Sequence, residues 1–142
     1  MHSPAELTVA FRAKGCKITP QRQLLFRLLH ENTAHPSAEV LYALAHAQMP
    51  GISLRTVYQT LNDLAEMGEL HVLEFGTGAA RFDPNVGDHH HLVCDRCGEV
   101  RDVDVPGADR LAPHGGAHGY VGATAHVVFR GTCPSCTLAR VV

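Results

Sequence analysis

Apolar positions recur at helical spacing through the first half of the chain and at strand spacing in stretches of the second. Residues 5–14 suit a short helix ended by Gly15. Thr19 is a capping residue, Pro20 fits a first helical position, and Leu24, Leu25, Leu28 and Leu29 carry the period to about residue 32. Ser37 caps a third helix with Val40, Leu41 and Leu44 expected on one face, and Met49-Pro50-Gly51 stops it. Ser53 caps a fourth helix over 53–67, striped by Leu54, Val57, Tyr58, Leu61 and Leu64, with Gly68 just past its end.

After Gly68 the period changes. Residues 70–75 read as a strand, Gly76-Thr77-Gly78 as a turn, and residues 80–82 as the returning strand. Helices followed by a hairpin are the order of a winged helix, with helix 53–67 as the element able to enter a major groove. Its outward face offers Arg55, Thr56, Gln59 and Asn62. The turn-rich run 83–88 marks a boundary. Beyond it, strands are expected near 91–94, 99–103 and 125–130, and any helix within 106–118 is short or broken because Pro113, Gly115 and Gly116 interrupt it. The expected fold class is α+β, with a domain over 1–83, a hinge over 84–88 and a second domain over 89–142.

Two domains sharing 142 residues are each small for a self-sufficient core. Charge adds a local signal. Net charge is only −2, yet the stretch between Glu6 and Glu31 holds no acid and five bases, Arg12, Lys14, Lys17, Arg22 and Arg27. Such a face suits phosphate contact or simple solvation. The polar start, Met1-His2-Ser3-Pro4-Ala5-Glu6, and the lack of any apolar run near eighteen residues predict neither a signal peptide nor a membrane span. A reducing, cytoplasmic setting follows, in which paired cysteines bind metal rather than form disulfides.

Cys94-Asp95-Arg96-Cys97 and Cys133-Pro134-Ser135-Cys136 are two C-x-x-C pairs separated by thirty-five residues. Four thiolates fill a tetrahedral shell, so Cys94, Cys97, Cys133 and Cys136 predict a closed, structural Zn2+ site. Cys16, between Lys14 and Lys17, is left over; it is either a thiol activated by those lysines or a bystander.

A second donor set is different in kind. Asp83, Asp88, His89, His90, His91 and Asp102 offer imidazole and carboxylate, which suit a labile divalent ion such as Fe(II), Mn(II), Ni(II) or Zn(II). In extended chain His89 and His91 point to one side and His90 to the other. The same composition also fits a solvated histidine-rich loop.

Several segments resemble the ferric uptake regulator (Fur) superfamily. They are His35-Pro36-Ser37-Ala38-Glu39-Val40-Leu41-Tyr42, Ser53-Leu54-Arg55-Thr56-Val57-Tyr58-Gln59-Thr60-Leu61, Arg81-Phe82-Asp83, Asp88-His89-His90-His91-Leu92-Val93-Cys94 and Gly131-Thr132-Cys133-Pro134-Ser135-Cys136. The resemblance implies a winged-helix DNA-binding domain, an α/β dimerisation domain, and a homodimer on palindromic, A·T-rich double-stranded DNA. It implies a repressor, not an enzyme. Within the superfamily the details are most similar to the peroxide-responsive (PerR-type) branch. That likeness implies a regulatory Fe2+ or Mn2+ held by His35, Asp83, His89, His91 and Asp102, and the cysteine tetrad as structural zinc. Iron-uptake members generally carry Glu where Asp83 stands. Many relatives also have a histidine eight residues before the third tetrad cysteine. Here that position is Ala125 and His126 is one place over, which in a strand turns it to the opposite face. A further ion site would have to be built from His90, His118 and His126.

The resemblance also implies a mechanism. An ion joining His35 to ligands beyond the hinge would set the angle between domains, and so the separation of two recognition helices in a dimer. Peroxide would oxidise His35 or His89 to 2-oxo-histidine and release the ion. Lys14, Lys17 and Arg22 would meet phosphates or the minor groove; Arg55, Thr56, Tyr58 and Gln59 would lie at the major groove. Tyr58 also lies on the apolar stripe, so core packing competes for it. Three alternatives stand beside this reading. One is a sensor of iron, zinc or nickel sufficiency in the same superfamily. Another is a metal-dependent hydrolase, which lacks HExxH and a clear general base. The last is a zinc-ribbon interaction module, which leaves the helices and His35 unexplained.

Overall fold

Four hydroxyl side chains open the first four helices. Ser3, Thr19, Ser37 and Ser53 each accept the backbone N–H three residues ahead and start α1 (Pro4–Ala13), α2 (Pro20–Leu29), α3 (Ala38–Gln48) and α4 (Leu54–Glu66). Ser3 and Glu6 complete a reciprocal capping box, so α1 starts slightly earlier than its apolar pattern suggests. The computed structural model describes residues 1–139, and the chain divides into two units, Met1–Val86 and Gly87–Val142.

In the first unit Leu7 and Phe11 of α1 meet Leu24, Leu25, Phe26 and Leu29 of α2, with Phe11 and Phe26 edge-to-face at 4.9 Å. Val57, Leu61 and Leu64 close the core from α4. Two expectations about faces need correction. Val40 and Leu44 are 49% and 45% exposed; α3 packs through Ala38, Leu41 and Ala45 instead. Those positions recur at three and four residues, so Leu41 packs between the small side chains of Ala38 and Ala45 on one face. Tyr58 is 40% exposed, so it leaves the apolar stripe of α4, where Thr60 is buried instead. Helix α2 stops at Leu29, short of residue 32, because His30 leaves helical geometry at ψ 123 and Glu31 has φ 56.

Gly68, at φ 74, ends the last turn of α4 and sends the chain into a hairpin. The hairpin is shorter than its sequence suggests: β1 (His71–Leu73) pairs antiparallel with β2 (Arg81–Asp83), and the Gly-rich turn takes up the residues between. Four helices and this wing form a winged helix.

The second unit is a mixed three-stranded sheet, ordered β4-β3-β5. Strand β3 (His90–Cys94) runs antiparallel to β4 (Val100–Val103) and parallel to β5 (Val128–Gly131). Residues 106–118 hold only a 3-10 turn, Ala108–Arg110, as the glycines and Pro113 require. Strand β5 begins at Val128 rather than near residue 125. A five-residue helix, α5 (Pro134–Leu138), follows Cys133, with Pro134 in its first turn; it is too short to carry an apolar period. No helix among the described residues is long and apolar enough to cross a membrane.

Candidate functional site

The wing places the first two imidazole and carboxylate donors. Phe82 N–H donates to the Pro36 carbonyl at 3.0 Å, and Arg81 Nη1 donates to the His35 carbonyl at 3.3 Å. These bonds draw the loop before α3 against β2. They hold His35 in the left-handed region at φ 50, which histidine tolerates better than most residues but which still marks a constrained position. His35 is fully buried, and its Nε2 lies 3.3 Å from Asp83 Oδ2. The other Asp83 oxygen accepts Asn85 N–H at 2.9 Å in an Asx turn, which fixes the carboxylate's orientation.

Three more donors meet in the second unit. His91 on β3 lies directly across from Asp102 on β4, so both side chains stand on one face. His89 joins them from just before the strand. Its Nε2 is 3.3 Å from Asp102 Oδ1, and His91 Nε2 is 3.4 Å from the same oxygen. His89 and His91 rings contact edge-to-face at 4.5 Å. His90 is turned away, and its Nδ1 accepts Val127 N–H at 3.0 Å. Donor separations near 3.3 Å are close to the ~3 Å expected between neighbouring ligands of an ion at ~2.1 Å. Both subsets therefore fit a divalent cation by donor type and spacing.

The four cysteines also come together in the second unit, with sulfurs within 4.8 Å of one another. Cys97 and Cys133 are 3.7 Å apart, near the ~3.8 Å edge that Zn–S bonds of ~2.3 Å impose on a tetrahedron. The knuckle backbone serves the sulfurs directly: Cys133 N–H donates to Cys94 Sγ at 3.2 Å, and Asp95 N–H ties the first knuckle to the Gly131 carbonyl at 2.8 Å. Hydrogen bonds from the Cys97 and Cys133 backbone hold the Cys94 thiol down at about 6, while the neighbouring Cys133 side chain pushes Cys136 up to about 12. An ion must displace the protons of such a set, so its binding strengthens as pH rises.

The residues with DNA-contact chemistry lie in the first unit. Lys17, Thr19, Gln21 and Arg22 line one groove with Thr56 and Gln59 of α4. Arg22 is largely occupied in shaping it, donating to the Lys17 carbonyl at 2.9 Å and pairing with Asp63 at 3.2 Å. Lys14 caps α1 and Arg55 is exposed on α4; both lie outside the groove's lining. Tyr58 donates its hydroxyl to Glu39 at 2.6 Å, a link from α4 to α3 that apolar patterning could not reveal.

The ferric uptake regulator family model matches residues 13–127. The chain belongs to the ferric uptake regulator family. It is 34% identical over 116 residues to the peroxide-responsive repressor PerR of Staphylococcus epidermidis, covering 80% of this chain and 77% of that protein. The ferric uptake regulator Fur of Helicobacter pylori shares its fold with a TM-score of 0.75 at 19% identity, over 94% of this chain and 90% of that one. A zinc-bound manganese uptake regulator matches with a TM-score of 0.73 at 25% identity, over 93% and 99% of the two chains.

As a member of the ferric uptake regulator family, the protein is a metal-responsive transcription regulator and not an enzyme. Its cysteine tetrad is one donor group among the described residues, and its imidazole–carboxylate residues, in the two subsets above, supply the other donors. His90, His118 and His126 form no third group there. His126 goes elsewhere: its Nε2 is 2.8 Å from His91 Nδ1. Strand alternation does not govern His126, because β5 begins two residues later. Cys16 is a half-buried, free thiol packed against the core of the first unit.

Proposed function

We propose that the protein is a metal-dependent, homodimeric repressor that binds palindromic double-stranded DNA and senses peroxide. The observation that carries this reading is the matched pair of incomplete donor sets, His35 with Asp83 and His89 with His91 and Asp102. Two or three ligands do not fill the shell of Fe2+ or Mn2+, so one ion shared by all five residues is the economical assignment. His35 and Asp83 belong to the winged helix and the other three to the sheet unit. Ligands drawn from both units restrict their relative angle and favour the conformer whose paired α4 helices match operator spacing. The expected coupling between ion and operator is about 1–3 kcal/mol. We assign structural Zn2+ to Cys94, Cys97, Cys133 and Cys136, which leave no open position for sensing.

Likeness to peroxide-responsive relatives and the two aspartates, Asp83 and Asp102, support peroxide as the signal. His35, Asp83, His89, His91 and Asp102 would hold Fe2+, which when bound would supply the first electron for cleavage of the O–O bond of hydrogen peroxide. Among the chain's own groups, His35 and His89 are the imidazoles assigned to be oxidised: overall one peroxide adds one oxygen at ring C2 and leaves as one water, and the 2-oxo ring would no longer ligate, which would lift repression. We assign phosphate or minor-groove contact to Lys14 and Lys17, groove shaping and phosphate contact to Arg22, and the major groove to Arg55, Thr56, Tyr58 and Gln59. Exposed Leu92 and Phe129, adjacent in register on β3 and β5, supply an apolar face for dimerisation through the second unit. A sensor of iron, zinc or nickel sufficiency is the second reading, since imidazole and carboxylate bind all these ions.

Operator binding by the iron-loaded dimer, before and after a peroxide pulse, tests the proposal. Affinity should fall after the pulse, with one added oxygen on the His35 or His89 peptide, and the manganese form should keep its affinity. Unchanged binding by the iron form would move the assignment to a sufficiency sensor. Equal operator affinity with and without added metal would remove the switch altogether.

A further inference from the structure

An imidazole that binds an ion through Nε2 must keep its own proton on Nδ1, and something must accept that proton's hydrogen bond. For His89 the acceptor is the Gly87 carbonyl, 2.7 Å from Nδ1. A carbonyl can only accept, so His89 presents its Nε2 lone pair on the side of Asp102. His91 faces Asp102 through Nε2 in the same way, but its Nδ1 meets another imidazole, His126 Nε2, at 2.8 Å.

We propose that His126 is a positioning residue for the regulatory ion: it accepts the His91 Nδ1 hydrogen bond and so holds His91 in the tautomer and rotamer whose Nε2 can ligate. The inference rests on the assignment of His91 as a ligand made above. It concerns a residue outside the donor group itself.

The local backbone is built to hold this contact. His91 N–H donates to the Val127 carbonyl at 3.1 Å, and Val127 N–H donates to His90 Nδ1 at 3.0 Å. Residue 127 is thereby clipped to β3 from two directions, which sets His126 beside His91. The two rings stand nearly perpendicular, at 88° with centroids 5.0 Å apart, so the His126 lone pair meets the edge of the His91 ring that carries Nδ1–H. His91 has its two nitrogens on different partners, Asp102 at Nε2 and His126 at Nδ1. His126 therefore acts on the ion through His91, not as a sixth ligand. It is exposed, so replacing it leaves the apolar core intact.

The test is Mn2+ affinity of the full-length protein with zinc retained, measured calorimetrically for the parent, His126→Ala, His126→Gln and His89→Ala. His126→Ala should weaken binding by about 10–100-fold, the usual cost of losing the partner that orients a ligand. His126→Gln, whose side-chain oxygen accepts the same hydrogen bond, should keep the loss below about tenfold. In the manganese-free, zinc-bound protein, ring nitrogen-15 spectra should show His91 as the Nδ1–H tautomer in the parent and His126→Gln, and a tautomer mixture in His126→Ala. The proposal fails if His126→Ala binds Mn2+ as the parent does while His89→Ala does not. It also fails if His126→Gln is as weak as His126→Ala, or if the His91 tautomer is the same in all proteins. Should His89→Ala also bind like the parent, the ion assignment and this proposal fall together.

Discussion

The two units are stabilised by different physics. In the winged helix, Leu7, Phe11, Leu24, Leu25, Phe26, Leu29, Leu41, Val57, Leu61 and Leu64 are removed from water together, and each of its four helices carries a side-chain cap. In the sheet unit, the buried apolar side chains among the described residues are Val93, Cys94, Val100 and Ala108, while Leu92, Leu111, Tyr120, Val121 and Phe129 are exposed on the single chain. Apolar burial contributes about 25 cal/mol per Å², so the first unit gains its stability from the core and the second gains little within one chain. Four converging thiols sit where a core would otherwise be needed. One unit folds by excluding water; the other depends on a metal staple.

Removing zinc gives the largest expected effect. Binding worth about 10–16 kcal/mol in small zinc domains is far above what this sheet's core supplies. Cys97→Ser, or chelation, should abolish amide-exchange protection in β3, β4 and β5 while α1 to α4 remain protected. Loss of helix protection as well would erase the contrast between units. The reciprocal experiment is Phe26→Ala. It leaves a void against Phe11 and should cost about 3–5 kcal/mol of first-unit stability in denaturant titration, with zinc content unchanged.

A smaller change sharpens the role of local signals. Ser53→Ala removes the hydroxyl that accepts Thr56 N–H at 3.1 Å and should cost about 0.5–2 kcal/mol of first-unit stability by the same measurement. The smallest effect is a titration. The Tyr58 hydroxyl bond holds the Glu39 carboxyl below its ordinary value and, reciprocally, raises the phenol. With a depressed folded value, the stabilisation is complete above the ordinary carboxylate range and disappears as pH falls through the folded value. Carboxyl carbon-13 titration should give Glu39 a low midpoint that returns to ordinary in Tyr58→Phe. An unshifted midpoint in the parent would dispose of the link.

Residues that act on their near neighbours were legible. Thr19, Ser37 and Ser53 predict three helix starts because a cap needs only the N–H three residues ahead. Gly68 predicts an end for the same local reason. The cysteine spacing predicts the convergence of four sulfurs, since each C-x-x-C is one tight turn. The buried side of α3 was not legible, because Ala38, Leu41 and Ala45 form one stripe and Val40 and Leu44 another, and only the neighbouring helices choose between them. Arg22 reads as a free base in sequence, but a carboxylate forty-one positions away takes part of its charge.

By itself, then, the chain's sequence determined the order of helices and strands, the sulfur staple and the donor types available to an ion. Those properties follow from backbone hydrogen bonding and side-chain chemistry within a few residues. Tertiary structure decided which donors face each other: the β3–β4 register that sets His91 across from Asp102, the wing that buries His35 against Asp83, and the late start of β5 that brings His126 to His91. A one-residue shift in pairing register turns a strand's side chains to the opposite face, and a residue just before a strand, like His126, escapes that alternation; both choices are made by packing and pairing over the whole sheet.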